Sequence, residues 1–541
     1  MTDTFTTQVW YSDGTSYTWP EQQAGVKPNV GICFPGGGTR ALCATMGQLR
    51  GLLSFDFLKH VDYISCVSGG SWASCAFTYY RAGATSDADL LGPVTQPQDI
   101  TLNGLSNVPT SSLGWGATQD LGDAIEAANH AGVPEDLLWA VAVGNVFFAR
   151  YGLFDPEHPS YFSLDEETVA KIKAANPSLA NAPFHVVRKP SDYKMPYLLI
   201  NGTMDGPSAT TPYNPDQLVM ITYSPLYSGI PFQQTIVYPM AKMRHVRGTI
   251  TALVGGGFIE TFAWGCDAPA APAVDGRVTV NAPASVFSLV HASGTSSSAF
   301  AGAFEKIKLL DGLLPEQNYW PPVAAGGAQP PAQLFDFGDG ANLENYGLIP
   351  LVMRGVKRVI LFLNTETPLK LNYDPASGTA SDSDLDSTLP PLFGIPVTSI
   401  FGTDPDYNHV FPASDYAPLI QELQALKKNG QPMVVTKTHE VLPNPFWGIA
   451  GGGTVEILYV YLDEVASWKS QIADEWVKIQ LDLGDVGEFP HFPNYKTIDE
   501  NLLPPWSLTQ LTPRQVNLLA DLTCWVVLQH RSTIEQFVAA G

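Results

Sequence analysis

Twice within its first eighty residues the chain runs from a short apolar segment through a glycine-rich turn into a helical pattern. Asn29 to Phe34 is apolar and is stopped by Pro35 and by Gly36, Gly37 and Gly38, after which an apolar-periodic stretch continues to Leu53. Val61 to Val67 is apolar and β-prone, Ser68-Gly69-Gly70-Ser71 makes the turn, and Trp72 to Tyr80 can continue as a helix. Two strand–turn–helix units in succession favour parallel strands joined by crossover helices. The fold class expected is therefore α/β, with a central, mostly parallel sheet flanked by helices.

Further strands are expected at 196–202, 218–223, 358–364 and 455–461, and residues 119–152 have helical spacing broken at Gly132-Val133-Pro134. Loop-like stretches at 265–283, 315–333 and 372–391 separate them. Pro513 to Val538 reads as one or two packing helices that bury Leu518, Leu519, Leu522, Trp525 and Val526. The 541 residues, 45% of them hydrophobic, can fill one large core. We expect one domain over 1–541, with an N-terminal extension over 1–28 and cap or lid insertions within 82–335.

Lysine and arginine total 29 against 52 acidic residues, a formal charge of −23 that repels nucleic acid and anionic surfaces. No basic stretch followed by an apolar run opens the chain, and no apolar run reaches the roughly 18 residues of a membrane span. The expectation is a cytoplasmic protein with no transmembrane segment, touching membranes at most peripherally. None of the six cysteines forms a C-x-x-C pair, so buried free thiols are expected.

A serine becomes a useful nucleophile when a strained strand-to-helix turn holds it beside a base and against backbone amides. Ser68 stands on such a turn, in Cys66-Val67-Ser68-Gly69-Gly70, with Cys66 where the usual elbow has its first glycine. Gly36-Gly37-Gly38 immediately precedes a helix, where free amides and the positive end of the dipole suit an oxyanion. The supporting turn residues are Gly36, Gly69, Gly70 and Gly340. A third element, Phe337-Gly338-Asp339-Gly340-Ala341-Asn342, sets Asp339 between glycines on a turn. A carboxylate there could take a serine proton and return it to a leaving group. Each element alone is equally an ordinary glycine turn.

The order Gly-Gly-Gly-Thr-Arg, then Ser-Gly-Gly-Ser-Trp about 30 residues later, then Asp-Gly-Ala-Asn-Leu-Glu-Asn-Tyr-Gly-Leu far downstream resembles the catalytic domain of the cytosolic phospholipase A2, phospholipase B and patatin group. Tyr151 to Phe154, Tyr197 to Gly202, Ser296 to Phe300 and Phe489 to Pro493 extend the resemblance. It implies a serine lipid acyl hydrolase with Ser68 as nucleophile, Asp339 as base, Gly37 and Gly38 as oxyanion hole, and Arg40 as a phosphate contact. The substrate implied is a phospholipid or lysophospholipid, and no cofactor is required.

Two other readings stay open. A Ser–His–Asp esterase or acyltransferase would use one of the ten histidines, of which His409, His439 and His491 follow Asp339 in the required order. A lipid-binding protein with decayed chemistry is the other, and Cys66 is its best support. Metal chemistry has little footing: Asp382, Asp384 and Asp386 imitate the start of a calcium loop, but Ser387 and Phe393 occupy its glycine and glutamate positions.

Overall fold

The computed structural model describes residues 3–12, 19–208, 211, 214–240, 248–273, 276–299, 314–398, 405–498 and 509–539. The chain divides into two compact units. One comprises Met1–Lys27, Ile125–Arg188 and Tyr197–Leu343, and the other Pro28–Ala124, Lys189–Pro196 and Glu344–Gly541.

The second unit is built on four parallel strands in the order Tyr63–Val67, Val30–Phe34, Arg358–Leu363 and Thr454–Tyr461, with Met433–Glu440 added antiparallel to the last. Val30–Phe34 and Tyr63–Val67 are buried at every residue, as strands covered on both faces must be. Their register sets Ile32 beside Ile64 and Ile360, and Phe34 beside Cys66. The glycine turns lead into the helices Gly38–Leu53 and Ser68–Tyr79. Gly38–Leu53 packs closely on Pro513–Gln529: Thr523 Oγ1 donates to the Ala44 carbonyl at 3.1 Å, and a β-carbon on Gly47 would fall 2.2 Å from the Ala520 carbonyl oxygen. Beside them Arg50 pairs with Asp521 at 2.8 Å, both buried. The C-terminal stretch is the expected pair of helices, Pro513–Gln529 and Arg531–Ala539.

The first unit carries antiparallel strands in the order Arg277–Asn281, Thr4–Tyr11, Gly257–Glu260, Tyr227–Ile230, Val219–Tyr223, Tyr197–Pro207, Gln333–Asp339 and Glu316–Tyr319. Tyr197–Pro207 is buried along its whole length, and its pairing with Gln333–Asp339 shifts register between Asp336 and Phe337. Leu138–Val143, Glu166–Ala175 and Leu289–Ser296 supply helices, and Gly294 lies so close to Ala140 that an added β-carbon would meet its Cα at 2.9 Å.

The strands expected near 196, 218, 358 and 455 are present. Within residues 1–28, Thr4–Tyr11 is a strand in which Phe5, Thr7 and Val9 are buried. All three loop-like stretches also hold strands: Arg277–Asn281, where buried Val278 and Val280 alternate with exposed polar neighbours, Glu316–Tyr319, and the two-residue Ala380–Ser381. The helical stretch from 119 to 152 breaks after His130 as expected. Of the region expected to form a cap, residues 82–124 belong to the second unit and most of the remainder to the first. All six cysteines are buried and unbridged. No described helix is long and apolar enough to cross a membrane.

Candidate active site

Ser68 sits where the strand Tyr63–Val67 becomes the helix Ser68–Tyr79, with φ +50°. A non-glycine residue in the left-handed region costs on the order of 1–3 kcal/mol and persists only where its surroundings hold it there. Those surroundings are the buried strand before it and the buried helix after it. Cys66, the departure from the usual elbow, is fully buried within the strand opposite Phe34.

The two glycine motifs meet backbone to backbone. A β-carbon on Gly69 would fall 2.1 Å from the Gly38 carbonyl oxygen and 2.8 Å from the Gly38 nitrogen. One on Gly70 would fall 2.3 Å from the Phe34 oxygen and 2.5 Å from the Pro35 oxygen. The helices beginning at Gly38 and Ser68 therefore start in contact, each with first-turn amides that no intrahelical carbonyl accepts. Gly37 at φ +130° and Gly38 at φ +56° make the turn that presents the first of these helix ends. Such a concentration of amide donors and positive dipole ends favours a developing negative charge.

Arg40, Asn345 and Glu344 hold this arrangement. The Gly36 amide donates to both the backbone oxygen and the Oδ1 of Asn345, each at 3.1 Å, and a β-carbon on Gly36 would fall 2.3 Å from that Oδ1 and 3.0 Å from Ser68 Cβ. Glu344 is buried and accepts the Tyr346 and Ile349 amides at the start of the helix Leu348–Met353; burial pushes its carboxyl up to about 7. Arg40 is buried beneath the glycine turn. Its Nε donates to the Asn364 carbonyl at 2.8 Å, and Nη1 donates to the Tyr495 carbonyl, to Thr497 Oγ1 at 3.0 Å and to Glu366 at 3.4 Å. Nη2 lies against Gly37. Burial pulls the guanidinium below its usual range, against the opposing pull of Glu366 and Asp386.

Asp339 and Gly340 belong to the other unit. Asp339 is buried at the end of the strand Gln333–Asp339 and caps the short turn Gly340–Asn342, its Oδ1 accepting the Ala341 amide at 2.8 Å. Its own amide donates to the Ser298 carbonyl at 3.0 Å, and its carbonyl accepts Thr203 Oγ1 at 3.2 Å. Two backbone ties thus fix where the side chain begins, and the Ala341 amide holds the carboxylate itself. They also explain two of the accessory motifs: Gly202 pairs with Asp339, and Ser296 Oγ donates to the Asn201 carbonyl at 2.6 Å. Phe300, the last residue of the serine motif, lies outside the described residues.

Of the remaining motif residues, Phe489 is buried and Phe492 stacks on Trp468 at 5.9 Å, three residues before the Tyr495 whose carbonyl holds Arg40. The three alternative histidines have other surroundings. His439 is buried, with Nδ1 2.9 Å from Asp415 and Nε2 2.9 Å from the Tyr459 hydroxyl, and the rings of Phe393 and Phe411 pack on it. His491 pairs with Asp485, and His409 packs against Gly394. Two of the three carboxylates of the calcium-like run are engaged by protein donors: Asp384 accepts from Ser381 and Lys370, and Asp386 from Tyr346 and Thr388.

Sequence reasoning did not single out Asn345, Asn364, Glu366, Tyr495 or Thr497. Only Glu344 and Asn345 carried a signal, since both lie inside the Asp-Gly-Ala-Asn motif that was quoted for Asp339. The others reach Arg40 from more than 300 residues away in sequence.

No protein-family model matches the chain. Human cytosolic phospholipase A2 zeta is 34% identical over 147 residues, which is 27% of this chain and 16% of that protein. The mouse zeta protein is 30% identical over 164 residues, 29% of this chain and 17% of its own length. Human cytosolic phospholipase A2 beta is 37% identical over 87 residues, 16% of this chain and 11% of that protein. The match thus spans less than a fifth of the length of these relatives. Among solved structures, human GIVD cytosolic phospholipase A2 aligns with 97% of this chain and 64% of its own, at TM-score 0.46 and 14% identity. Over these matched segments the chain is similar in sequence to cytosolic phospholipases A2.

Proposed function

We propose that the chain is a serine lipid acyl hydrolase of the phospholipase A2 or lysophospholipase type, acting in the cytoplasm on fatty-acyl esters of phospholipids. The observation that carries this reading is Ser68, held at φ +50° between a buried strand and a helix and backed onto the Gly38 turn. The sequence relationship supports the substrate class.

In the proposed reaction Asp339 takes the Ser68 hydroxyl proton as Oγ attacks the ester carbonyl carbon. The carbonyl oxygen gains the negative charge, which the Gly37 and Gly38 amides stabilise; one such donor is typically worth about 3–4 kcal/mol. The carbon–oxygen bond to the leaving alcohol then breaks and the proton passes to that alcohol. Water repeats the sequence on the acyl-enzyme, giving up a proton to Asp339 and releasing the fatty acid. Arg40 acts first as the brace of the glycine turn; Nη2 is the nitrogen left to meet a substrate phosphate.

A fluorophosphonate probe tests the assignment. Wild-type protein should be labelled covalently, and Ser68→Ala and Asp339→Asn should not, with both variants folded by circular dichroism. Labelling of Ser68→Ala at the wild-type rate sinks the nucleophile. Abolition of labelling by loss of a single histidine, in a folded protein, would replace the dyad by a triad.

A further inference from the structure

Large apolar side chains in water need a reason when they cluster. The described residues hold ten such exposed side chains, and four of them fall within eleven residues of the second unit: Trp476 at 65% exposure, Ile479 at 42%, Leu483 at 46% and Val486 at 84%. They lie on the helix Glu475–Asp482, on its C-cap Leu483 and on the turn Gly484–Val486 that follows. Their spacing of three, four and three residues keeps them on one side of a helical path, while Val477 faces the interior and is fully buried. The helix is therefore apolar on two faces, and only one is used by the fold.

The charges around this stripe narrow what can cover it. Residues 474–488 contain Asp474, Glu475, Asp482, Asp485 and Glu488 but a single lysine, Lys478. Lys478 is paired with Glu475, Lys469 with Asp482, and Arg514 with Glu488, so no cation in these pairs is left to meet an anionic surface. A second copy of the chain would bring a like acidic rim against this one, and a four-residue stripe is far short of the roughly 800 Å² per partner that a stable dimer buries. A choline phospholipid surface has the complementary chemistry. Its outermost groups are quaternary ammonium cations, which acidic side chains attract and an exposed indole face binds, and beneath them lies apolar material for Ile479, Leu483 and Val486.

We propose that Trp476, Ile479, Leu483 and Val486 form an interfacial anchor that seats this unit on zwitterionic, choline-rich phospholipid surfaces. The choice of a lipid occupant rests on the acyl hydrolase reading given above. Flotation of the full chain with vesicles tests the anchor separately from hydrolysis. The wild-type chain should float with phosphatidylcholine vesicles and bind phosphatidylserine vesicles at least tenfold more weakly. Trp476→Ser combined with Val486→Ser should lower partition onto phosphatidylcholine at least tenfold, while hydrolysis of a short-chain ester kept below its micelle concentration is unchanged. Equal flotation of the double variant and wild type, stronger binding to phosphatidylserine, or a wild-type dimer that the double variant abolishes would each overturn the anchor. If Ser68→Ala keeps full hydrolysis while vesicle binding behaves as described, the hydrolase reading fails and the anchor survives.

Discussion

Replacing Gly69 by alanine tests the contact on which the candidate site depends. The added β-carbon would sit 2.1 Å from the Gly38 carbonyl oxygen, whereas carbon and oxygen ordinarily approach to about 3.3 Å. Some 1 Å of movement must be found, and the neighbours that must move are backbone atoms of the glycine turn rather than a side chain that can rotate away. Overpacking of this kind costs about 1–3 kcal/mol of stability. The catalytic effect should be larger: misplacement by about 1 Å can cost 100-fold, and loss of one oxyanion donor about 100- to 1,000-fold. The assay is the rate of fluorophosphonate labelling and of ester hydrolysis, set against the urea midpoint. Gly47→Ala is the control, because its β-carbon would meet Ala520 and Thr523 on the C-terminal helix and not the glycine turn. Both variants should lose stability, and only Gly69→Ala should lose labelling by a factor of 100 or more. A folded Gly69→Ala protein labelled at the wild-type rate would refute the idea that this backbone contact sets the oxyanion donors.

Arg40→Ala should lower the urea midpoint by the equivalent of about 2–4 kcal/mol, because it strands the buried Asn364 and Tyr495 carbonyls; an unchanged midpoint with only a raised KM for phospholipid would make Arg40 a substrate contact alone. Glu344 is held neutral by burial up to about pH 7, whereas an unfolded glutamate ionises near about 4.3. Its contribution to stability is therefore fully present below the unfolded value, falls as pH rises between the two and is flat above. Glu344→Gln should flatten that part of the stability–pH curve, and superimposable slopes for the two proteins would count against it. His439→Gln should lower stability by about 1–3 kcal/mol through its lost Asp415 and Tyr459 bonds while labelling of folded protein continues; loss of labelling without loss of stability would make His439 a chemical participant.

The parallel strands of the second unit were legible because each is a short, largely apolar and β-prone run, a signal carried within ten residues. The first unit hid some of its strands. In Thr4–Tyr11 and Arg277–Asn281 only alternate residues are buried, so polar threonines, glutamine and asparagine dilute the pattern. The division into two units was equally silent, since each is assembled from separated segments and no change of composition marks the crossings. At the candidate site, Ser68, the glycines and Asp339 stand in local motifs, whereas the groups that hold Arg40 are defined only by the fold. A carbonyl at Asn364 or Tyr495 has no side-chain identity to read; any residue in that place would offer the same oxygen.

The segmental construction of the second unit also governs the order in which the chain can fold during its synthesis. Val30 pairs with Arg358, and Arg358 with Glu456. At roughly 5–20 residues per second, the strand Val30–Phe34 leaves the ribosome on the order of tens of seconds before its neighbour Arg358–Leu363 exists. All of the first unit's segments are made before that neighbour emerges. The nascent chain must therefore carry the glycine turn and the serine elbow with one edge of Val30–Phe34, the side away from Tyr63–Val67, unfilled, and protection of that edge falls to whatever else binds newly made apolar strands.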